Sequence, residues 1–455
     1  MVIETRNPST GKTIKQYNTM SSQQLDNAIT QAHSAQKRWR EVSLEARAEP
    51  MMRVAQMLEK NIGRYAMLIT TEMGKPITAA RAEIEKCAKL CRYYATHAEH
   101  FLADKIIETE VSKSFVSNQA LGVIFAIMPW NFPFWQVLRY AAPNLMAGNA
   151  CLLKHAPIST GAALAIQALF EDCGFEKGLF TSLLIDVDMV EYVIAHKHVA
   201  GVTLTGSERA GSSVAKLAGQ CLKKVVLELG GSDPYVVLAD ADIDHAAKVC
   251  VASRLNNTGQ VCTAAKRFIV VKEIEAVFKK RVMNELKRYV VGDPLDESIN
   301  VGPLAREDLR LGVHEQVQAC VAQGATVLRG GEIPAGDGFF YPITVLDGVK
   351  SGMPAYNDEI FGPVIAFISA EDEESAIEIA NDTRFGLGAS VFTQDIARGE
   401  KIATELLHAG TVCVNRAVAS DQRLPFGGVK ASGFGRELSE IGMHEFVNIK
   451  TICID

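Results

Sequence analysis

The sequence predicts an α/β protein organised around a parallel, doubly wound sheet. Three observations carry this. Short apolar runs alternate with helix-patterned segments beyond residue 150, the order that βαβ units produce. The runs are bounded by Gly, Pro and Asn, as buried strands are. Two of them end in loops carrying Asn131 or Gly206-Ser207, at strand ends where open parallel sheets bind ligands.

Taken in order, Asn7-Pro8-Ser9-Thr10-Gly11 reads as a turn between two short strands. From 22 to about 100, apolar residues recur at three- and four-residue steps, as in Leu25, Ile29 and Ala32 and again in Ile84, Cys87 and Cys91. That spacing predicts helices, divided at Pro50, Gly74 and Pro76, with Gly74 as a left-handed cap. Strand-like spacing over 111–128 runs into Pro129-Trp130-Asn131-Phe132-Pro133, where two prolines hold an irregular loop extended. Strands are expected over 150–154, 180–185 and 202–205, and a helix over 161–170. The last of these strands meets Gly206-Ser207 at a helix start, whose free N–H groups and hydroxyl can seat a phosphate. Beyond, 267–271 reads as a strand, 273–290 as a helix, 324–340 as a loop-rich passage and 446–454 as a final strand.

Composition bounds the class. At 455 residues the chain can form about two or three domains with large cores. A net charge of −6 with no long basic run excludes a nucleic-acid surface. No apolar run reaches the roughly 18 residues of a membrane span, and the N-terminus lacks the build of a signal peptide. The ten cysteines form no paired C-x-x-C framework, which points to reduced thiols and a cytoplasmic setting. Cys87 and Cys91 sit one helical turn apart without a His pair nearby, so helix packing is expected there and no metal.

The chemistry concentrates in 225–266. An apolar run ends at Glu228 and breaks at Gly230-Gly231, and the turn Thr258-Gly259-Gln260 delivers Cys262, 34 residues after that carboxylate. A thiol and a carboxylate are the minimum for covalent catalysis: a nucleophile, and a base for it or for the water that follows. Either alone says little, since a lone Cys is more often buried filler and a loop Asn such as Asn131 more often bonds its own backbone. Lys154, ending its strand, can meet a ribose or phosphate or sit solvated. Glu359 and Phe361, before the Gly362-Pro363 turn, can bind sugar hydroxyls and stack on a flat ring, or simply anchor a loop.

Together the motifs are specific. Pro129-Trp130-Asn131-Phe132-Pro133, Thr205-Gly206-Ser207, Glu228-Leu229-Gly230-Gly231, Gly259-Gln260-x-Cys262, Glu359-x-Phe361-Gly362-Pro363 and Pro425-Phe426-Gly427-Gly428 occur in one order. In this the chain resembles the aldehyde dehydrogenase superfamily over essentially its whole length, most of all the bacterial NAD(P)-dependent succinate-semialdehyde dehydrogenases. The resemblance implies a modified Rossmann NAD(P)-binding domain over 1–101 and 121–229, and an α/β catalytic domain over 230–430. It also implies a small β oligomerisation flap from 102–120 and 443–455, serving a homodimer or homotetramer. It makes Cys262 the nucleophile, Glu228 the base and Asn131 an oxyanion donor. Trp130, Lys154, Gly206, Ser207, Glu359 and Phe361 fall on cofactor-binding positions.

Cofactor and substrate follow from the same resemblance. Members strict for NAD often carry a Glu three residues after the cofactor Lys, where this chain has Pro157, so NAD and NADP are both expected. Succinate-semialdehyde dehydrogenases carry an Arg eight residues after the oxyanion Asn, matched by Arg139, and a Ser matched by Ser420. A guanidinium suits a distal carboxylate, and equally a structural ion pair. A second Arg of that subfamily is replaced by Asn256. The small-molecule substrate is thus expected to be succinate semialdehyde, with a broad-specificity aldehyde dehydrogenase as the alternative. A CoA-acylating enzyme would normally lack Glu228, a cofactor-free thiol hydrolase would need a His beside the thiol, and a non-catalytic relative would have lost Cys262.

Overall fold

The computed structural model describes residues 2–455. Two parallel sheets form its two cores. The first has six strands in the order Gly433–Phe434, Lys224–Glu228, Val199–Thr205, Val123–Met128, Ala150–His155 and Phe180–Ser182. All are parallel except Gly433–Phe434, which runs antiparallel beside Lys224–Glu228 and sets Gly433 opposite Glu228. The second has seven strands in the order Thr326–Arg329, Thr344–Asp347, Val364–Ala370, Arg267–Val271, Pro234–Val237, Gly388–Phe392 and Thr411–Val414. Its central strands are buried on both faces, as the continuous apolar runs Tyr235-Val236-Val237 and Phe268-Ile269-Val270 require.

The strands fall close to their expected positions, with instructive exceptions. Phe180–Ser182 stops three residues early, and Thr326–Arg329 adds an antiparallel edge strand inside the passage read as loop. The helical region divides into Ser22–Trp39, Leu44–Lys60, Ile62–Met73 and Ile77–Leu102. Pro50 does not end a helix; it lies inside Leu44–Lys60, whose Met51, Val54, Ala55 and Leu58 are buried against the core. Packing there outweighs the one lost hydrogen bond. Gly74 is a left-handed cap (φ 79°), and a Cβ at that position would lie 2.8 Å from Pro303. A separate antiparallel sheet joins Val447–Ile454, Lys113–Ala120 and Lys105–Ile106.

One buried carboxylate places the loop after Val123–Met128. Glu83, on helix Ile77–Leu102, accepts the N–H groups of Phe134 and Trp135 (2.9 and 3.0 Å) at the start of helix Trp135–Met146. It also pairs with fully buried Lys75. A carboxylate at a helix N-terminus satisfies donors that the helix leaves open. Glu83→Ala is therefore expected to destabilise the protein by about 3–5 kcal/mol in urea unfolding, because Lys75 would stay buried without a counter-ion. Cutting the exposed Arg81–Glu297 pair should change little.

Candidate active site

The loop that delivers Cys262 is strained and tightly held. After helix Ile243–Leu255 come three residues in the left-handed region, Asn257 (φ 49°), Thr258 (φ 60°) and Gly259 (φ 76°). Such a run persists where the surroundings over-determine it. Thr258 Oγ1 accepts the Gly302 N–H at 3.0 Å, Asn257 Nδ2 donates to Asn131 O at 2.9 Å, and Gln260 Oε1 accepts the Ala305 N–H at 2.9 Å. A Cβ on Gly259 would lie 2.2 Å from Gly362 O, so a side chain there is excluded on two counts. The Gly-Gln-x-Cys spacing thus has a steric origin.

Cys262 emerges from this loop half-buried. Burial pushes its thiol up to about 11, against the pull of Lys266 and Arg139. Lys266, four residues on, donates to Val261 O and Cys262 O (2.9 and 2.5 Å) and pairs with Glu359 at 3.1 Å. Asn131 lies on the facing loop. Its Nδ2 donates to Gln260 O at 2.9 Å, and its Oδ1 accepts from Gln136 Nε2 at 3.1 Å. This fixes the amide's orientation and leaves its second N–H without an acceptor among the described residues, available to a developing oxyanion.

Cys262 lies between two cavities. The first, about 240 Å³, is lined by Trp130, Asn131, Gly206, Ser207, Glu359 and Phe361. The rings of Trp130 and Phe361 meet edge to face at 5.8 Å. Thr205 Oγ1, at the end of its strand, is buried there without a partner. Aromatic walls, an acidic side chain, a bare hydroxyl and a helix start suit a dinucleotide. Ser207 already caps helix Glu208–Gln220 through the Ala210 N–H, and the Gly206 N–H bonds Glu228 O, so fewer donors are free there than the Gly-Ser pair promises. Lys154 and Pro157 stand outside that lining. Lys154 is buried on its strand and drawn down by desolvation, which removes the solvated-surface reading, and Pro157 opens a short turn after it.

The second cavity, about 230 Å³, lies on the other side of Cys262 and includes Arg139, Ser420, Asn256, Trp135 and Phe426. Gln136, like Cys262, lines both. Arg139 is buried, lies 4.9 Å from the centre of the Phe426 ring and is paired with buried Glu437. The structural ion pair and the cavity wall are therefore one residue. Ser420 Oγ accepts from Lys86 Nζ at 2.8 Å. Glu228 lies deeper, with both carboxylate oxygens unpartnered. Burial raises it well above the usual carboxylate range and the charge of Glu437 adds to this, while Arg139 and Arg436 oppose it.

Five participants were not singled out in the sequence. Gln136 and Lys266 sit within five residues of motif residues, a proximity that flags them only once Asn131 and Cys262 are known. Arg254 clamps the other loop, with Nε on Val364 O at 2.5 Å and Nη2 on Ile360 O at 2.8 Å. Lys86 and Glu437 belong to distant segments, and no local pattern marks them.

Comparison with known proteins identifies the family. The model of the aldehyde dehydrogenase family matches residues 1–452. A succinate semialdehyde dehydrogenase [NAD(P)+] of Escherichia coli is 46% identical over 449 residues, covering 99% of this chain and 97% of that protein. A probable succinate-semialdehyde dehydrogenase [NADP(+)] of Synechocystis is 44% identical over 454 residues and covers 100% of both. The crystal structure of succinic semialdehyde dehydrogenase from Streptococcus pyogenes with NADP+ superposes with a TM-score of 0.97 at 40% identity, covering 99% of each chain. This chain belongs to the aldehyde dehydrogenase family, the NAD(P)-dependent oxidoreductases that convert an aldehyde to its acid.

Proposed function

We propose that the enzyme oxidises succinate semialdehyde to succinate, with either NAD or NADP, through a covalent intermediate on Cys262. The observation that carries this reading is a thiol shared by two cavities, one suited to a dinucleotide and the other walled by cationic side chains. The names of the relatives, which refer to succinate semialdehyde and to NAD(P), support it.

In this reading the thiolate form of Cys262 attacks the aldehyde carbon through Sγ. The carbonyl electron pair moves to oxygen, where the Asn131 amide and the Cys262 N–H hold it as an oxyanion. NAD(P), when bound, supplies the hydride acceptor that turns the thiohemiacetal into a thioester. Glu228 then removes a proton from the water that attacks the thioester carbon, and acid and thiolate separate. For this the buried Glu228 must first ionise, which Arg139 and Arg436 favour. Trp130, Gly206, Ser207, Glu359 and Phe361 would hold the cofactor along the cavity wall, and Lys154 and Pro157, outside that lining, complete the proposed set. No carboxylate at Pro157 repels a 2′-phosphate, and Lys154 can pair with one.

The domain reading follows as a proposal. The six-stranded sheet serves cofactor binding, with 1–101 and 121–229, and the seven-stranded sheet serves catalysis, with 230–430. The three-stranded sheet from 102–120 and 443–455 serves as the flap of a homodimer or homotetramer. Asn256 in the substrate-side wall favours one second reading, a broader range of small aldehydes.

Following reduced-nicotinamide absorbance tests the substrate. Succinate semialdehyde should give a higher kcat/KM than acetaldehyde or an aromatic aldehyde, with both cofactors active. Equal turnover of all three would leave only the broad enzyme. Glu228→Gln is expected to lower kcat by about 10²–10⁴-fold and to leave a burst of reduced cofactor, because acylation outruns hydrolysis. In the cofactor-free enzyme the thiol pKa of about 11 predicts that iodoacetamide modification of Cys262 accelerates with pH. The rise should be about tenfold per unit between about pH 7 and 9, followed by mass spectrometry.

A further inference from the structure

Three charged side chains line the substrate-side cavity: Glu83, Lys86 and Arg139. Two are already compensated. Glu83 is paired with Lys75, and Arg139 with Glu437. Asp421, beside Ser420, is held by Arg423 through two hydrogen bonds of 2.9 and 2.7 Å. Lys86 differs. Its ammonium has no carboxylate ion-pair partner among the described residues; it donates to the neutral Ser420 Oγ at 2.8 Å and lies 4.0 Å from the centre of the Trp135 ring.

A half-buried cation with only neutral partners has lost part of its hydration without gaining a counter-charge. A carboxylate entering the cavity would supply that charge. The same carboxylate at Arg139 would be the second on one guanidinium, beside Glu437, and would gain less. We propose that Lys86, assisted by Ser420, anchors the distal carboxylate of the substrate and sets the preference for a carboxylated aldehyde over a neutral one. The proposal rests on the semialdehyde reading above and assigns its selectivity to a residue outside the motif loops.

Titration supports the same residue. Burial lowers Lys86 to about 8, Arg139 adds to the fall, and Cys87, Glu83 and Asp421 oppose it. The ammonium is therefore charged below about pH 8 in the free enzyme, and selectivity resting on it is lost as pH rises through that value. The shift of Cys262 acts on every aldehyde alike, so it cancels in a ratio of substrates.

The test measures kcat/KM for succinate semialdehyde divided by that for butanal, the neutral aldehyde of equal chain length. Wild type, Lys86→Met and Lys86→Arg are compared from about pH 6.5 to 9.5. In Lys86→Met the ratio should fall by about thirtyfold or more at neutral pH, as when a desolvated charge pair loses one partner. Lys86→Arg should restore part of it. In wild type the ratio should decline through about pH 8, whereas in Lys86→Met it should stay flat. A wild type that favours the semialdehyde while Lys86→Met keeps the same ratio would overturn the role of Lys86 and leave the substrate reading standing. A wild type with no preference overturns both. Should Lys86→Met fail to fold, the wild-type pH profile decides, and a ratio flat through pH 8 counts against the proposal.

Discussion

The site depends on one close backbone approach, that of Gly259 to the carbonyl of Gly362. It presses the loop that delivers Cys262 against the loop that carries Glu359 and Phe361, leaving no room for a Cβ. Arg254 clamps the second loop from behind, through the carbonyls of Ile360, Gly362 and Val364. Lys266 ties both loops together, reaching the carbonyl of Cys262 and the carboxylate of Glu359. The loop of Cys262 and the loop of Glu359 and Phe361 are therefore held as one unit, and strain at Asn257 and Thr258 is held in place by contacts to Asn131 and Gly302. Preorganisation of this kind is what holding a reacting carbon between thiol and hydride acceptor requires.

Buried charge is the second constraint. Around Cys262 the molecule keeps Lys75 with Glu83, Arg139 with Glu437, and Lys266 with Glu359. Isolated charges at these depths would be neutralised or displaced, and pairing lets them persist. Glu228 has no partner on either oxygen, and Lys86 has only a hydroxyl and a ring. Lys86 lines one of the cavities that share Cys262, whereas Glu228 is buried outside the lining of both. Perturbed groups gather where a ligand completes them.

Much of the fold was legible because strand and helix periodicity are local. The runs at 123–128, 150–155 and 267–271 announced themselves as buried strands, and Gly74 as a helix end. Pro50 misled, since a local helix-breaking rule gave way to a packed apolar face. The edge strand Thr326–Arg329 was missed because its Val327 and Leu328 sit among turn residues and are only partly covered. Ser207 was identified by position, yet its hydroxyl is engaged in capping, a contact that depends on where the helix starts.

By itself the sequence determined the kind of chemistry. Cys262, Glu228 and Asn131 stand in a fixed order within Gly- and Pro-rich frames, and those frames constrain the backbone locally, so their spacing can be read in one dimension. Tertiary structure decided which charges are free. Arg139 finds Glu437, and Lys86 finds Ser420, across most of the chain's length. Coulomb attraction and desolvation depend on distance in space and on burial, and neither is written in the neighbouring residues.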